Sequence, residues 1–258
     1  MKQLSFDTSG DNLNVAVFES GRVLTHFECN VSKQHGEHLL PVIQEVIQGV
    51  GWKPEDLDEI YVGRGPGSYT GLRIGITMAK VWAKMMNCKL YTYSSLSLIA
   101  SQVCTFDVKT LLIPMIDARR GSVYVGAYRW NKHIYQNVMK DVHQDWQDWI
   151  NQQLIPYLAN NQIENLVFVN LVDRELLEMV ENRLESSSYK IHTVLEPRSW
   201  PNTIHTFQVE CSREKDVDLL VPYYAHASLA EQEWAERNRG EVNQDEGYIE
   251  YSYESDFP

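Results

Sequence analysis

Two hydrophobic periods alternate along the chain. Residues 3–7 form a short apolar run closed by Asp7, and residues 13–18 and 22–27 alternate apolar with polar side chains around a turn at 19–22. This pattern predicts a first strand with a hairpin beside it. The period then changes: Leu39, Val42, Ile43, Val46, Ile47 and Val50 recur at helical spacing between residues 37 and 50, and Pro41 falls in the first turn, where its missing N–H is tolerated. A strand at 58–62, a glycine-rich loop reaching Gly71, a helix at 72–86, a short strand at 90–93 and a helix at about 96–103 complete the first half.

The second half repeats this order. An apolar strand at 111–117 again ends in Asp, a hairpin pairs 123–128 with 133–138 around Trp130, Asn131 and Lys132, and helices near 146–158 and 174–184 enclose a strand at 166–169. A last strand is predicted at 191–195. The order βββαβαβα followed by βββαβαβ is a repeat of about a hundred residues, the layout of the actin, hexokinase and sugar-kinase superfamily. The predicted fold is therefore α/β: a duplicated actin-like, hexokinase-like (ASKHA, ribonuclease H-like motif) architecture with lobes at 1–108 and 109–225. Residues 226–258 are expected to form a C-terminal helix and an acidic tail, which from Gly240 onward holds six acids and no base.

Composition narrows the function. With 43% hydrophobic residues in 258, the chain can bury a real core. The 23 basic and 35 acidic side chains give a net charge of −12, which repels a phosphate backbone and excludes broad nucleic-acid binding by this chain alone. Cys29, Cys88, Cys104 and Cys211 lie far apart without a CxxC pair, against a zinc ribbon or a disulfide framework. No run is long and apolar enough for a membrane span, and Asp7 interrupts the N-terminal run before it could act as a signal peptide, so a cytoplasmic location is expected.

The densest motif is the stretch from Gly63 to Gly75, GRGPGSYTGLRIG, with five glycines between a strand and a helix. It is neither a P-loop nor GxGxxG, and Ser68 does not sit in a GxSxG elbow. Gly65, Gly67, Ser68 and Gly71 are read as a structural loop, either a tight crossover or a close backbone approach to a ligand. His35 and His38, three apart before a helix, lack a third ligand, so no metal site is expected there. The helix at 72–86 is apolar on more than one side: Leu72, Ile76, Ala79, Ala83 and Met86 make one face, and Ile74, Met78, Val81, Trp82 and Met85 cover much of the rest. One sheet needs only one face. Its neighbour is the helix at 37–50, where Leu40 stands outside the main stripe. The predicted partner surface therefore comprises Leu39, Leu40, Ile43 and Ile47 with Leu72, Ile74, Gly75, Met78, Trp82 and Met85.

The Gly63–Gly75 run, with Phe6-Asp7-Thr8-Ser9 upstream and the segment from Ile116 to Tyr124 downstream, is similar to the TsaB (YeaZ) family over most of residues 1–230. The resemblance implies a non-catalytic scaffold and activating subunit, without cofactor, of the bacterial machinery that makes threonylcarbamoyladenosine beside the tRNA anticodon. It implies a heterodimer with the catalytic paralogue TsaD, the ATPase TsaE joining the assembly, a homodimer when alone, and tRNA reached only indirectly. In the wider superfamily two Asp-containing turns hold phosphates and metal. Here they are Asp7-Thr8-Ser9 and Asp117-Ala118-Arg119, where Arg119 replaces a small residue, and residues 170–173 lack the glycines of an adenosine loop. Asp7, Thr8, Ser9, Asp117 and Arg119 are thus expected to be a degenerate nucleotide site with no catalytic residue; Asp117, Arg119 and Arg120 are read as a hinge between halves. The rival reading is an active ATPase or kinase of this fold, or a glycopeptidase-like peptidase. A kinase needs an acidic base and both turns, and a peptidase needs an activated nucleophile or a metal. The charge balance predicts that the purified chain shows no appreciable tRNA affinity at physiological salt. A mobility shift checks this, and micromolar binding lost as salt rises is the contrary result.

Overall fold

A computed structural model describes residues 1–31, 34–118, 121–170, 178, 180, 182, 189–194 and 201–225. Arg119, Arg120, the tail beyond 225 and most of the helix expected at 174–184 lie outside the described residues; Glu178, Val180 and Asn182 of that helix are described and helical. The first half runs β1 (Lys2–Asp7), β2 (Asn12–Glu19), β3 (Arg22–Asn30), α1 (His35–Gly49), β4 (Glu59–Gly65), α2 (Tyr69–Met86), β5 (Lys89–Ser94) and α3 (Ser95–Ser101). The second runs β6 (Thr110–Asp117), β7 (Ser122–Asn131), β8 (Ile134–Asp145), α4 (Trp146–Trp149), a π-helical turn (Ile150–Leu154), α5 (Ile155–Asn160), β9 (Asn165–Val169), β10 (Lys190–Val194) and β11 (Ser212–Arg213).

The halves build two sheets of one pattern. The first has the order β11-β5-β4-β1-β2-β3 and the second β10-β9-β6-β7-β8. In each, three antiparallel strands are followed by two parallel ones: β4 pairs parallel with β1 and β5, as β9 does with β6 and β10. Parallel neighbours need a crossover, and α2 supplies it between β4 and β5. The central strand β1 is buried on both faces beyond its first residue, whereas the edge strand β3 is exposed at both ends.

Three features differ from the sequence-based expectation. β8 extends to Asp145 rather than ending near 138, because its pairing with β7 continues past register shifts around Ala127. The helix predicted over 146–158 is interrupted by the π-helical turn. Residues 201–225 return to the first sheet: β11 pairs with β5, Thr206 Oγ1 lies 2.7 Å from Ser5 Oγ, and the Phe207 ring meets Phe18 edge-on at 4.9 Å.

Helix α3 lies between the sheets, buried at every residue. A helix without a polar face is stable only inside a core, and the hydroxyls of Ser97 and Ser101 are satisfied by the carbonyls of Ser94 and Leu98. Beside it, Asp141 of β8 ties the halves together. Its carboxylate accepts hydrogen bonds from Ser94 at the end of β5, from Tyr128 of β7 (2.6 Å) and from Asn137 (3.2 Å), while its backbone carbonyl accepts one from Tyr223 (2.6 Å). No side chain fits opposite, since a Cβ on Gly126 would lie 2.0 Å from Asp141 Oδ1.

Burial raises the Asp141 pKa to about 6, against the pull of the hydrogen bonds from Ser94, Tyr128 and Asn137. The folded chain therefore holds this proton more tightly than the unfolded chain. The resulting advantage is full below about pH 4 and is lost as pH rises through about 6, a contribution of roughly 3 kcal/mol. Urea unfolding between pH 4 and 7 should show the wild type losing stability relative to Asp141→Asn as pH rises. A pH-independent difference between the two would mean that Asp141 does not titrate in this window.

Candidate functional site

The turn after β1 is sealed. Asp7 is 1% exposed: its Oδ1 accepts hydrogen bonds from the Ser9 N–H (2.8 Å) and hydroxyl (2.6 Å), and its Oδ2 accepts one from Ser95 (2.8 Å). Burial pushes the Asp7 carboxyl above the ordinary carboxylate range, and the bonds from Ser9 and Ser95 oppose that rise. Thr8 and Ser9 are equally buried. The Thr8 hydroxyl donates to the Gly71 carbonyl (2.8 Å), and the Ser9 carbonyl accepts from the Ser68 N–H (2.7 Å).

The glycine-rich loop is what fills this turn. A Cβ on Gly71 would lie 2.0 Å from the Thr8 carbonyl oxygen, and one on Gly67 2.4 Å from that of Ser9. Gly65 has φ +115°, a conformation L side chains rarely adopt, while Gly71 is an ordinary residue of α2. At this turn the loop backbone lies against the Thr8 and Ser9 carbonyls, the Asp7 carboxylate is bonded to Ser9 and Ser95, and the Thr8 hydroxyl is bonded to Gly71. Asp117 is exposed at the end of β6 in the other sheet, and Arg119 lies outside the described residues. His35 is buried and His38 exposed; among the described residues no group of three His, Cys, Asp or Glu side chains is placed to hold a metal.

The predicted partner surface divides in two. Leu39, Ile43, Ile47, Leu72, Gly75 and Trp82 are buried in their own chain, Trp82 at 7% exposure, and so do not form an open surface. The reason is that α1 and α2 pack side by side on the first sheet, which covers more of each helix than a sheet alone would. Leu40 and Met85 remain exposed, Ile74 and Met78 half-buried. With Val81 they leave an apolar stripe on α2, Ile74, Met78, Val81 and Met85 at spacings of four, three and four, with Val81 46% and Met85 70% exposed.

Sequence reasoning missed what covers the flank of α2. The segment 216–224 lies along it: Arg73 Nε donates to the Tyr224 hydroxyl (3.0 Å), Tyr69 stacks on Tyr224, Lys80 donates to the carbonyls of Asp218 and Leu220, and Lys84 pairs with the Asp218 carboxylate. The signal was present as Arg73, Lys80 and Lys84 at spacings of seven and four on an otherwise apolar helix. Six of the eleven exposed large apolar side chains among the described residues fall on α1, α2 or this segment: Leu40, Tyr69, Val81, Met85, Leu219 and Val221.

Two sheets of matching strand order, each opening on a strand that ends in Asp, define a duplicated α/β protein of the actin-like, hexokinase-like class. Comparison with known proteins agrees. The family model described as TsaD, tRNA N6-adenosine threonylcarbamoyltransferase, matches residues 29–177. The chain is 29% identical over 239 residues to the tRNA threonylcarbamoyladenosine biosynthesis protein TsaB of Bacillus subtilis (strain 168), covering 93% of this chain and 100% of that one. It is 33% identical over 129 residues to TsaB of Escherichia coli (strain K12), covering 50% of this chain and 55% of the relative. Among solved structures, YeaZ from Pseudomonas aeruginosa superposes with a TM-score of 0.65 at 21% identity, covering 86% of this chain and 99% of that one. The chain belongs to the TsaD family, in its TsaB (YeaZ) branch.

The close approach at Gly71 gives a test. Gly71→Ala should destabilise nearly as strongly as Gly71→Val, by about 4 kcal/mol or more, because the clash already arises at Cβ. Ser68→Ala should cost only about 1 kcal/mol, the loss of an N-cap whose side chain accepts from the Gly71 N–H (3.3 Å). Thermal unfolding checks both. A well-tolerated Gly71→Ala would show that the loop does not lie on the turn.

Proposed function

We propose that this chain is a non-catalytic scaffold and activating subunit in the formation of threonylcarbamoyladenosine on tRNA. It binds a TsaD-type catalytic paralogue through the outer faces of α1 and α2, with a TsaE-type ATPase joining the assembly, and it self-associates through the same face when alone. The observation that carries the reading is the exposed stripe ending in Val81 and Met85, flanked by α1 on one side and the 216–224 segment on the other. A contiguous exposed apolar stripe of this kind is the sort of surface that partner proteins cover. The filled turn at Asp7, Thr8 and Ser9 supports a role without nucleotide turnover, and the N-cap role of Ser68 gives it no place as a nucleophile. The net charge of −12 supports tRNA contact being made mainly by the partner. Among the described residues no helix is long and apolar enough to cross a membrane.

Met85→Glu and Val81→Glu should give folded protein that binds the paralogue at least about a hundredfold more weakly and no longer supports tRNA modification, since a carboxylate in the seam would be buried unpaired. Trp82→Glu should instead unfold the first half, because that side chain belongs to the core. Sedimentation with purified TsaD-type paralogue and a reconstituted modification assay check these outcomes. Normal association of folded Met85→Glu would place the seam elsewhere.

A further inference from the structure

A cavity of about 210 Å3 opens at the N-terminal end of the α1 and α2 face, bounded by Asp11, His35, Ser68, Thr70 and Ile74 among others. His35, the first residue of α1, is 4% exposed, and its Nε2 has no hydrogen-bond partner among the described residues. A buried polar atom left unpaired is costly and marks a contact still to be made. A backbone hydrogen bond to Asn12 opposes the effect of burial on the ring. A neutral ring that carries its proton on the other nitrogen keeps a lone pair on Nε2, which can then accept a hydrogen bond. Burial lowers the His35 pKa from the ordinary histidine value, with Asp7 and Asp11 pulling the other way, which keeps the ring neutral near pH 7.

The rest of the wall is mixed: the Ser68 and Thr70 hydroxyls can donate or accept, and Asp11 is the one charged side chain among the described residues that line it. Asp11 adds a carboxylate, and Ser68 Oγ already serves as an acceptor for the Gly71 N–H. The Asp11 carboxylate and an acceptor at His35 Nε2 favour an occupant with N–H donors and positive charge. Ile74 borders both the cavity and the apolar stripe, and a Cβ on Gly36 of α1 would lie 3.7 Å from its Cδ1, so the cavity is continuous with the proposed partner face.

We infer that the cavity receives a lysine or arginine side chain from the facing helix of a different protein chain, which donates a hydrogen bond to His35 Nε2 and pairs with Asp11. The inference rests on the subunit reading above and adds a selection device to it. A second copy of this chain, packed through the same helices, offers no free base from the described residues of α1 and α2. No Lys or Arg occurs in α1, and the three in α2 are engaged along the 216–224 segment, Arg73 with Tyr224, Lys80 with the carbonyls of Asp218 and Leu220, and Lys84 with the Asp218 carboxylate. Self-association through α1 and α2 therefore leaves His35 without a base from those helices, whereas a partner with a base at the right turn satisfies it.

The test compares two associations of the full-length chain, with the TsaD-type paralogue and with itself, by sedimentation velocity and calorimetry. His35→Leu and Asp11→Asn should each weaken binding of the paralogue about ten- to a hundredfold and leave self-association within about threefold of wild type. Asp11 is exposed, so its variant tests the inference even if His35→Leu misfolds. Met85→Glu is the control. If it abolishes paralogue binding while His35→Leu and Asp11→Asn bind as wild type, the anchor is wrong and the surface stands; if it too binds normally, the surface itself is wrong. Equal loss of both associations in Asp11→Asn would mean a merely structural role and would overturn the inference.

Discussion

The contact of the glycine-rich loop with the turn after β1 governs most of what this molecule presents to its surroundings. Backbone meets backbone there: Gly67 and Gly71 lie so close to the Ser9 and Thr8 carbonyls that a single methyl would collide. Two consequences follow from that one approach: the start of α2 is fixed against the turn after β1, and the Thr8 hydroxyl and Ser9 carbonyl are taken up by the loop.

The halves are joined with comparable economy. α3 is buried all round, and a buried helix with several serines is stable only because each hydroxyl finds a local carbonyl or carboxylate. The Asp141 carboxylate draws in groups from β5, β7 and β8, and Tyr223 of the returning segment reaches the same residue through its backbone. Polar networks of this kind fix one arrangement at some cost in stability, since an apolar core of the same volume would have no preferred register.

How much of this was legible in the sequence depends on how local each determinant is. The change from period two to helical spacing located the strands and helices of both halves, and the repeated strand ending in Asp exposed the duplication, because both depend on neighbours a few residues away. The destination of residues 201–225 was not legible: β11 is two residues long, and its pairing with β5 is decided by tertiary contacts. Trp82 shows the same limit. Apolar residues on two sides of a helix prove that two surfaces are covered, but whether the second cover is the same chain or another is a matter of packing, and α1 covers more of α2 than periodicity could show. At Gly71 the close backbone approach is to Thr8 of the same chain, and the requirement is space there, not a positive φ.

A cleft that binds and turns over a nucleotide between two lobes has to open and close, so its joint must keep low-cost alternatives. The joint here runs the other way. Tyr61, Tyr93, Leu96, Leu112, Tyr128 and Val167 pack into one apolar cluster between the sheets, so opening would expose several large side chains at once. The returning segment ties the first sheet to β8 through Tyr223 while also flanking α2 with its own polar contacts. These contacts fasten the second sheet to the first and the returning segment to both, so the flank of α2 and the joint between the sheets are built from one continuous stretch of chain.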